Sequence, residues 1–166
     1  MKKLILLMAS SLCVVLIAAK PTLDLIPKPV QVEVLSGTFT LTPTTTIVSN
    51  STWLDLAGYL HDKLKPSTGF DLKTRTHATK ANRHQIVLEV NPSLTLPEEG
   101  YRLTVNENSV LIVGKNRGGL FNGIQTLLQL LPPQVYADTL VHGVIWQMPD
   151  VQISDYPRFR YRGMML

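Results

Sequence analysis

The chain has 166 residues, of which 45% are hydrophobic and 17% charged. That is enough apolar material for one domain with its own core, and it excludes a disordered tail or a fibrous repeat. The net charge is +4, partly supplied by Lys2 and Lys3. The remaining charge is scattered, with no basic block interleaved with aromatics, which argues against nucleic acid as a partner.

Residues 1–19 read as a signal peptide. Lys2 and Lys3 form the basic start, and residues 4–17 are apolar except for Ser10 and Ser11. Ala18-Ala19 offers a small-residue cleavage site before Lys20. The run is short for a membrane span and Pro21 follows at once, so no stable membrane insertion is expected after cleavage. The expected fate is export, periplasmic or extracellular. Cys13, the one cysteine, sits inside the apolar run behind Leu12, a poor context for lipid attachment. The mature chain then has no thiol for a disulfide, a thiolate metal site or a nucleophile.

Prolines 21, 27 and 29 make residues 21–29 an extended lead-in. Val30, Val32 and Val34 alternate with Gln31 and Glu33, predicting a strand. Ser36-Gly37 reads as a turn, with Phe39 and Leu41 on a second strand, so a hairpin is expected. A short strand follows near residues 45–49. Thr52 is the expected N-cap of a helix, answered by Asp55. Trp53, Leu56, Ala57, Leu60 and Leu64 share one face of that helix, which Pro66 and Gly69 end. Residues 70–76 are a possible strand, 77–84 a polar loop, and 85–90 a strand stopped by Asn91-Pro92.

A clear hairpin follows. Tyr101, Leu103 and Val105 alternate with Arg102 and Thr104, Asn106-Glu107-Asn108 turns the chain, and residues 110–113 return as a central strand. Gly118-Gly119 opens a second helix whose Leu120, Phe121, Ile124, Leu127, Leu128 and Leu131 form a broad apolar face. Pro132-Pro133 stops it, and a looser segment leads past Trp146, Val151 and Ile153 to a boundary at Asp155-Tyr156-Pro157. The expected class is α+β: a mostly antiparallel sheet with two helices on one face.

No complete catalytic machinery is visible. Val113-Gly114-Lys115-Asn116-Arg117-Gly118-Gly119 runs from strand to glycine turn to helix, a geometry that can cradle a phosphate. Its spacing matches neither a P-loop nor a dinucleotide fingerprint, so close packing of the helix is the favoured reading. His61, His77, His84 and His142 form no metal-ligand pattern and are expected to be solvated. No metal and no cofactor is expected. Glu98-Glu99 reads as a solvated turn, and Asp150 and Asp155 have no partner in the sequence. Trp53 is expected in the core; Trp146 could equally stack on a sugar.

The last residues, Pro157-Arg158-Phe159-Arg160-Tyr161-Arg162-Gly163-Met164-Met165-Leu166, begin a new strand with three arginines on one side. Such a face needs anionic or polyhydroxyl partners. The strand stops without a cap, which suggests a truncated sequence, and this segment is expected to be poorly packed by itself.

This terminal segment resembles the opening of the catalytic barrel in glycoside hydrolase family twenty, the β-N-acetylhexosaminidases. Leu25-Ile26-Pro27-Lys28-Pro29, Gly37-Thr38-Phe39, Glu99-Gly100-Tyr101-Arg102-Leu103 and residues 118–127 resemble that family's N-terminal domain. The resemblance implies three parts: a signal peptide (1–19), a non-catalytic α+β domain (20–156), and the first strand (157–166) of a (β/α)8 barrel. It implies removal of terminal β-linked N-acetylglucosamine or N-acetylgalactosamine with retention, by substrate-assisted catalysis. An aspartate would orient the substrate's acetamido group and a neighbouring glutamate would be the acid/base, both downstream of Leu166, so the fragment alone should be inactive. Arg162 matches a family arginine that clamps sugar hydroxyls; the competing role is a structural pairing with a barrel carboxylate. Arg158 and Arg160 would serve the domain junction. The implied partners are a glycan ending in N-acetylhexosamine and the chain's own barrel. The alternatives are a free-standing carbohydrate-binding or structural module and a phosphate or nucleotide binder.

Overall fold

The computed structural model describes residues 23–77, 83–159, 161 and 163. The signal peptide, Arg160, Arg162 and residues 164–166 lie outside the described residues.

In chain order the elements are β1 (Gln31–Thr40), β2 (Thr46–Ser49), α1 (Leu54–Thr68), β3 (Lys73–Arg75), β4 (Gln85–Val90), β5 (Tyr101–Asn106), β6 (Ser109–Gly114), α2 (Arg117–Leu130) and β7 (Gln147–Asp155). The strands form one sheet in the order β1-β7-β5-β6-β4-β2-β3. The class is α+β as expected, but the sheet is mixed rather than mostly antiparallel. β1, β7, β5 and β6 pair antiparallel, whereas β6, β4, β2 and β3 pair parallel. Parallel neighbours need a crossover, and α1 supplies one between β2 and β3. Hairpin signals between adjacent segments carry no trace of such pairings.

The expected first hairpin does not form. Its two halves are one long strand, β1, whose partner is β7 from the far end of the domain. Ser36-Gly37 falls where the β1–β7 register shifts, between Val34 and Thr38, so it is a bulge and not a turn. Gly37 has φ +124°, and a Cβ there would run into the Asp150 carboxylate. The second expected hairpin does form: Tyr101 pairs with Gly114 and Asn106 with Ser109.

The first helix starts differently from its expected cap. Asn50, not Thr52, is the capping side chain; it accepts from the Thr52 N–H at 3.1 Å and opens a 3-10 turn, Ser51–Trp53, ahead of α1. Asp55 is thereby free to pair with Arg117 of α2 at 2.7 Å. Gly69 ends the helix in the left-handed region, with its N–H on the Lys65 carbonyl at 2.9 Å.

The two helices lie side by side on one face of the sheet. Besides Asp55–Arg117, Gln125 Nε2 donates to the Tyr59 hydroxyl at 3.1 Å, and the Tyr59 and Phe121 rings stand 5.3 Å apart. Beneath them Tyr101, Leu103, Val105, Val110 and Ile112 from the sheet meet Leu120, Ile124 and Leu127 from α2, all essentially inaccessible to water. Each such burial is worth about 1.5–3 kcal/mol before chain entropy is charged against it. Arg102 of β5, Glu89 of β4 and Gln152 of β7 are exposed, polar positions alternating with the apolar ones.

Candidate functional site

A groove of about 680 Å³ lies where the lead-in, α2 and the end of β7 meet. Its floor is polar. Tyr101, buried on β5, shares a hydrogen bond of 2.6 Å with Thr126 of α2. Burial pushes the Tyr101 phenol up to about 12; the Thr126 hydrogen bond opposes this, and the neighbouring Asp155 charge adds to it. Asp155 is already engaged, since its Oδ1 accepts from the Val30 N–H at 3.1 Å. Gln129 clamps the lead-in in both directions: its Oε1 accepts from the Ile26 N–H at 2.9 Å, and its Nε2 donates to the Ile26 carbonyl at 3.0 Å.

The rim is apolar and open. Ile26 is 81% exposed and Phe159 72%. Asp155 is the one carboxylate among the described lining residues, so no acid/base pair is assembled there. Among the described residues no group of three or more His, Cys, Asp or Glu could hold a metal ion.

The glycine turn before α2 is a packing joint. Lys115 Nζ donates to the carbonyls of Leu96 at 2.7 Å and Leu94 at 3.3 Å. Asn116 caps α2 by accepting from the Gly119 N–H at 3.0 Å and donates its own amide to Glu98 at 2.7 Å. The Glu99 side chain lies against Gly118, and Asn122 Nδ2 donates to the Glu99 carbonyl. The helix N-terminus that a phosphate would use is thus covered by the chain's own acidic turn. Glu98-Glu99 is not the idle solvated turn expected: Glu99 is half-buried, with φ +58°. Lys115→Met is expected to cost about 1–3 kcal/mol through the loss of both hydrogen bonds, chiefly that to the Leu96 carbonyl, since the Leu94 carbonyl keeps the Leu96 N–H. Chemical denaturation would measure that loss, and titration with ATP or inorganic phosphate should show no affinity in either protein.

Other expected positions resolve individually. His61 is not solvated; its Nδ1 lies 3.0 Å from the Leu72 carbonyl and its Nε2 3.6 Å from Asp71, which also pairs with Lys65 at 2.6 Å. The Lys65 ammonium beside Asp71 holds that carboxyl below its ordinary value. His77, His84 and His142 are exposed. Trp53 packs against the core, and Trp146 is 4% exposed within it, so neither ring offers a sugar platform. Arg158 is exposed at the groove. Arg162 lies outside the described residues, so its role as a clamp stays a proposal. The groove itself escaped sequence reading, because Gln129 and Ile26 are 103 residues apart and no local pattern marks their pairing.

The class that the structure defines is a two-layer α+β domain with a clamped lead-in and an apolar-rimmed groove. Residues 22–156 match the model of glycosyl hydrolase family 20, domain 2, and the chain belongs to that family. It is 37% identical over 145 residues to a beta-hexosaminidase of Porphyromonas gingivalis, covering 87% of this chain and 18% of that protein. To a beta-hexosaminidase of Vibrio furnissii it is 34% identical over 151 residues, covering 87% and 21%. Among solved structures it resembles a mutant Streptomyces plicatus beta-hexosaminidase in complex with its product GlcNAc. The TM-score is 0.77 and the identity 32%, over 86% of this chain and 28% of that one. The chain therefore spans about a fifth of the curated relatives' length and about a quarter of that structure.

Proposed function

We propose that this chain is the N-terminal, non-catalytic part of an exported, exo-acting β-N-acetylhexosaminidase, and that it braces the catalytic barrel. The observation that carries the reading is the groove: large apolar side chains stand in water beside a polar floor, at the point where Pro157 leaves the domain. Apolar surface of that kind marks a protein contact. The nearest partner in sequence is whatever follows residue 157. The family match supports a hexosaminidase barrel in that place.

The reaction proposed for the whole protein is removal of terminal β-linked N-acetylglucosamine or N-acetylgalactosamine with retention. The substrate's acetamido oxygen would attack the anomeric carbon in place of the usual carboxylate nucleophile, with one carboxyl orienting that group and another serving as acid/base. Arg162 would bind sugar hydroxyls through its planar fork of donors. Export would follow from cleavage before Lys20.

The test uses the complete gene. Its product should hydrolyse an aryl N-acetyl-β-glucosaminide, and proton NMR of the first-formed sugar should show the β anomer. An α anomer first, or no hydrolysis, would sink the proposal. Arg162→Ala in that protein should lower kcat/KM roughly 10–100-fold, the loss of charged hydrogen bonds to substrate. An unchanged kcat/KM would assign Arg162 to the barrel's structure instead.

A further inference from the structure

Asp150 lies in β7 where strand alternation fails: Met148, Asp150 and Val151 are all buried. It is 5% exposed, and its Oδ1 has no hydrogen-bond partner. A second carboxylate shares its surroundings. A Cβ placed on Gly37 would run into Oδ2 of Asp150 and stand 3.2 Å from Oε1 of Glu107, so both carboxyl groups press on one point of the β1 bulge. No ion pair among the described residues involves either group.

The groups facing Asp150 are few. β1 contributes residues 34–40, none titratable. The turn between β5 and β6 contributes Glu107. The segment before β4 contributes His84, whose N–H donates to the Asn108 carbonyl at 2.6 Å and whose ring lies 6.5 Å from that of Phe39. β7 itself adds no charge until Asp155.

We propose that in acid Asp150 becomes a neutral carboxylic acid against the Glu107 carboxylate, forming a latch that holds the β1 bulge and the β5–β6 turn to β7. An ionised carboxylate this deeply buried, with an orphaned oxygen and a like charge beside it, is disfavoured on both counts. A protonated one removes the like-charge repulsion and carries a donor beside the point of the bulge that Glu107 also approaches. Burial, and then the Glu107 charge, raise the Asp150 carboxyl above its ordinary value, against a weaker opposing hydrogen bond from the Glu107 backbone. The sign follows from linkage. A carboxyl raised in the folded state adds stability below its unfolded value, and that stability is lost as pH rises through the folded value. The latch therefore tightens in acid and loosens toward neutrality.

The test follows the Asp150 side-chain carboxyl by carbon NMR in the whole protein, with and without Glu107→Gln. Asp150 should titrate above the ordinary aspartate value, and Glu107→Gln, a change in an exposed turn, should bring it down. Asp150→Asn should raise Tm at neutral pH by roughly 3 °C per pKa unit of elevation, and leave it unchanged in acid. An Asp150 titrating in the ordinary range, or unmoved by Glu107→Gln, overturns the proposal even if the Asn variant does not fold. So does a rise in the Tm of the unaltered protein with calcium chloride that Asp150→Asn abolishes, since the pair would then hold a cation.

Discussion

Trp146→Ala is expected to destabilise the protein by about 3–5 kcal/mol, the usual cost of emptying an aromatic site in a core. Trp146 is 4% exposed and belongs to the central cluster. Its carbonyl accepts from the Leu41 N–H at 2.7 Å, and the next residue begins β7. The ring therefore anchors the entry of the strand that joins β1 to β5. Thermal unfolding followed by circular dichroism should show Tm lower by roughly 10 °C. Binding of chito-oligosaccharides below that temperature should be unaltered by the substitution. Near-normal stability with a loss of glycan binding would restore the sugar-platform reading of this tryptophan.

Gly119→Ala is expected to cost at least about 2 kcal/mol, at the upper end of overpacking penalties. A Cβ there would run into the carbonyl oxygen of Gly100. That oxygen cannot retreat freely, because it accepts the Lys115 N–H at 2.9 Å. Gly118→Ala provides the control. Its Cβ would meet the Glu99 side chain at 3.0 Å, a looser contact than that at Gly119 and with a side chain rather than a backbone carbonyl. Exchanging glycine for alanine in a helix also gains about 1 kcal/mol in propensity, so Gly118→Ala should be close to neutral. Urea denaturation of the two variants gives the comparison. Equal losses would mean that contact with β5 is not what holds α2 in place.

The elements that sequence made legible are those with a strong local period or strong local stops. The β5–β6 hairpin is one, with Tyr101, Leu103 and Val105 inward and Arg102 outward. Both helices are others, one ended by Gly69 and the other followed by Pro132-Pro133. The strand least legible was β7. Its Pro149 and Asp150 break the alternation that signals a strand, and both are tolerated because the β1 bulge lies opposite. The first hairpin was misread for a related reason: Ser36-Gly37 carries turn chemistry, and a bulge with positive φ uses the same residues.

The site divides along the same line. Family motifs were visible as strings, and with them the expectation of a barrel beginning at Pro157. The groove was not visible, since it is made by Gln129 reaching Ile26 and by Asp155 reaching Val30, contacts spanning 103 and 125 residues. At Lys115 the glycine spacing favours packing over a phosphate cradle, but it does not say what the lysine itself would bond. Its two carbonyl partners come from a loop whose path only the packed helix sets.

Sequence by itself determined the class, the helices, the central hairpin and the family, because each rests on residues close together in the chain. Tertiary structure alone decided strand order, the parallel half of the sheet, the groove and the burial of Asp150. Those depend on which distant segments meet, and a period of two or 3.6 residues says which face is apolar but not what will cover it.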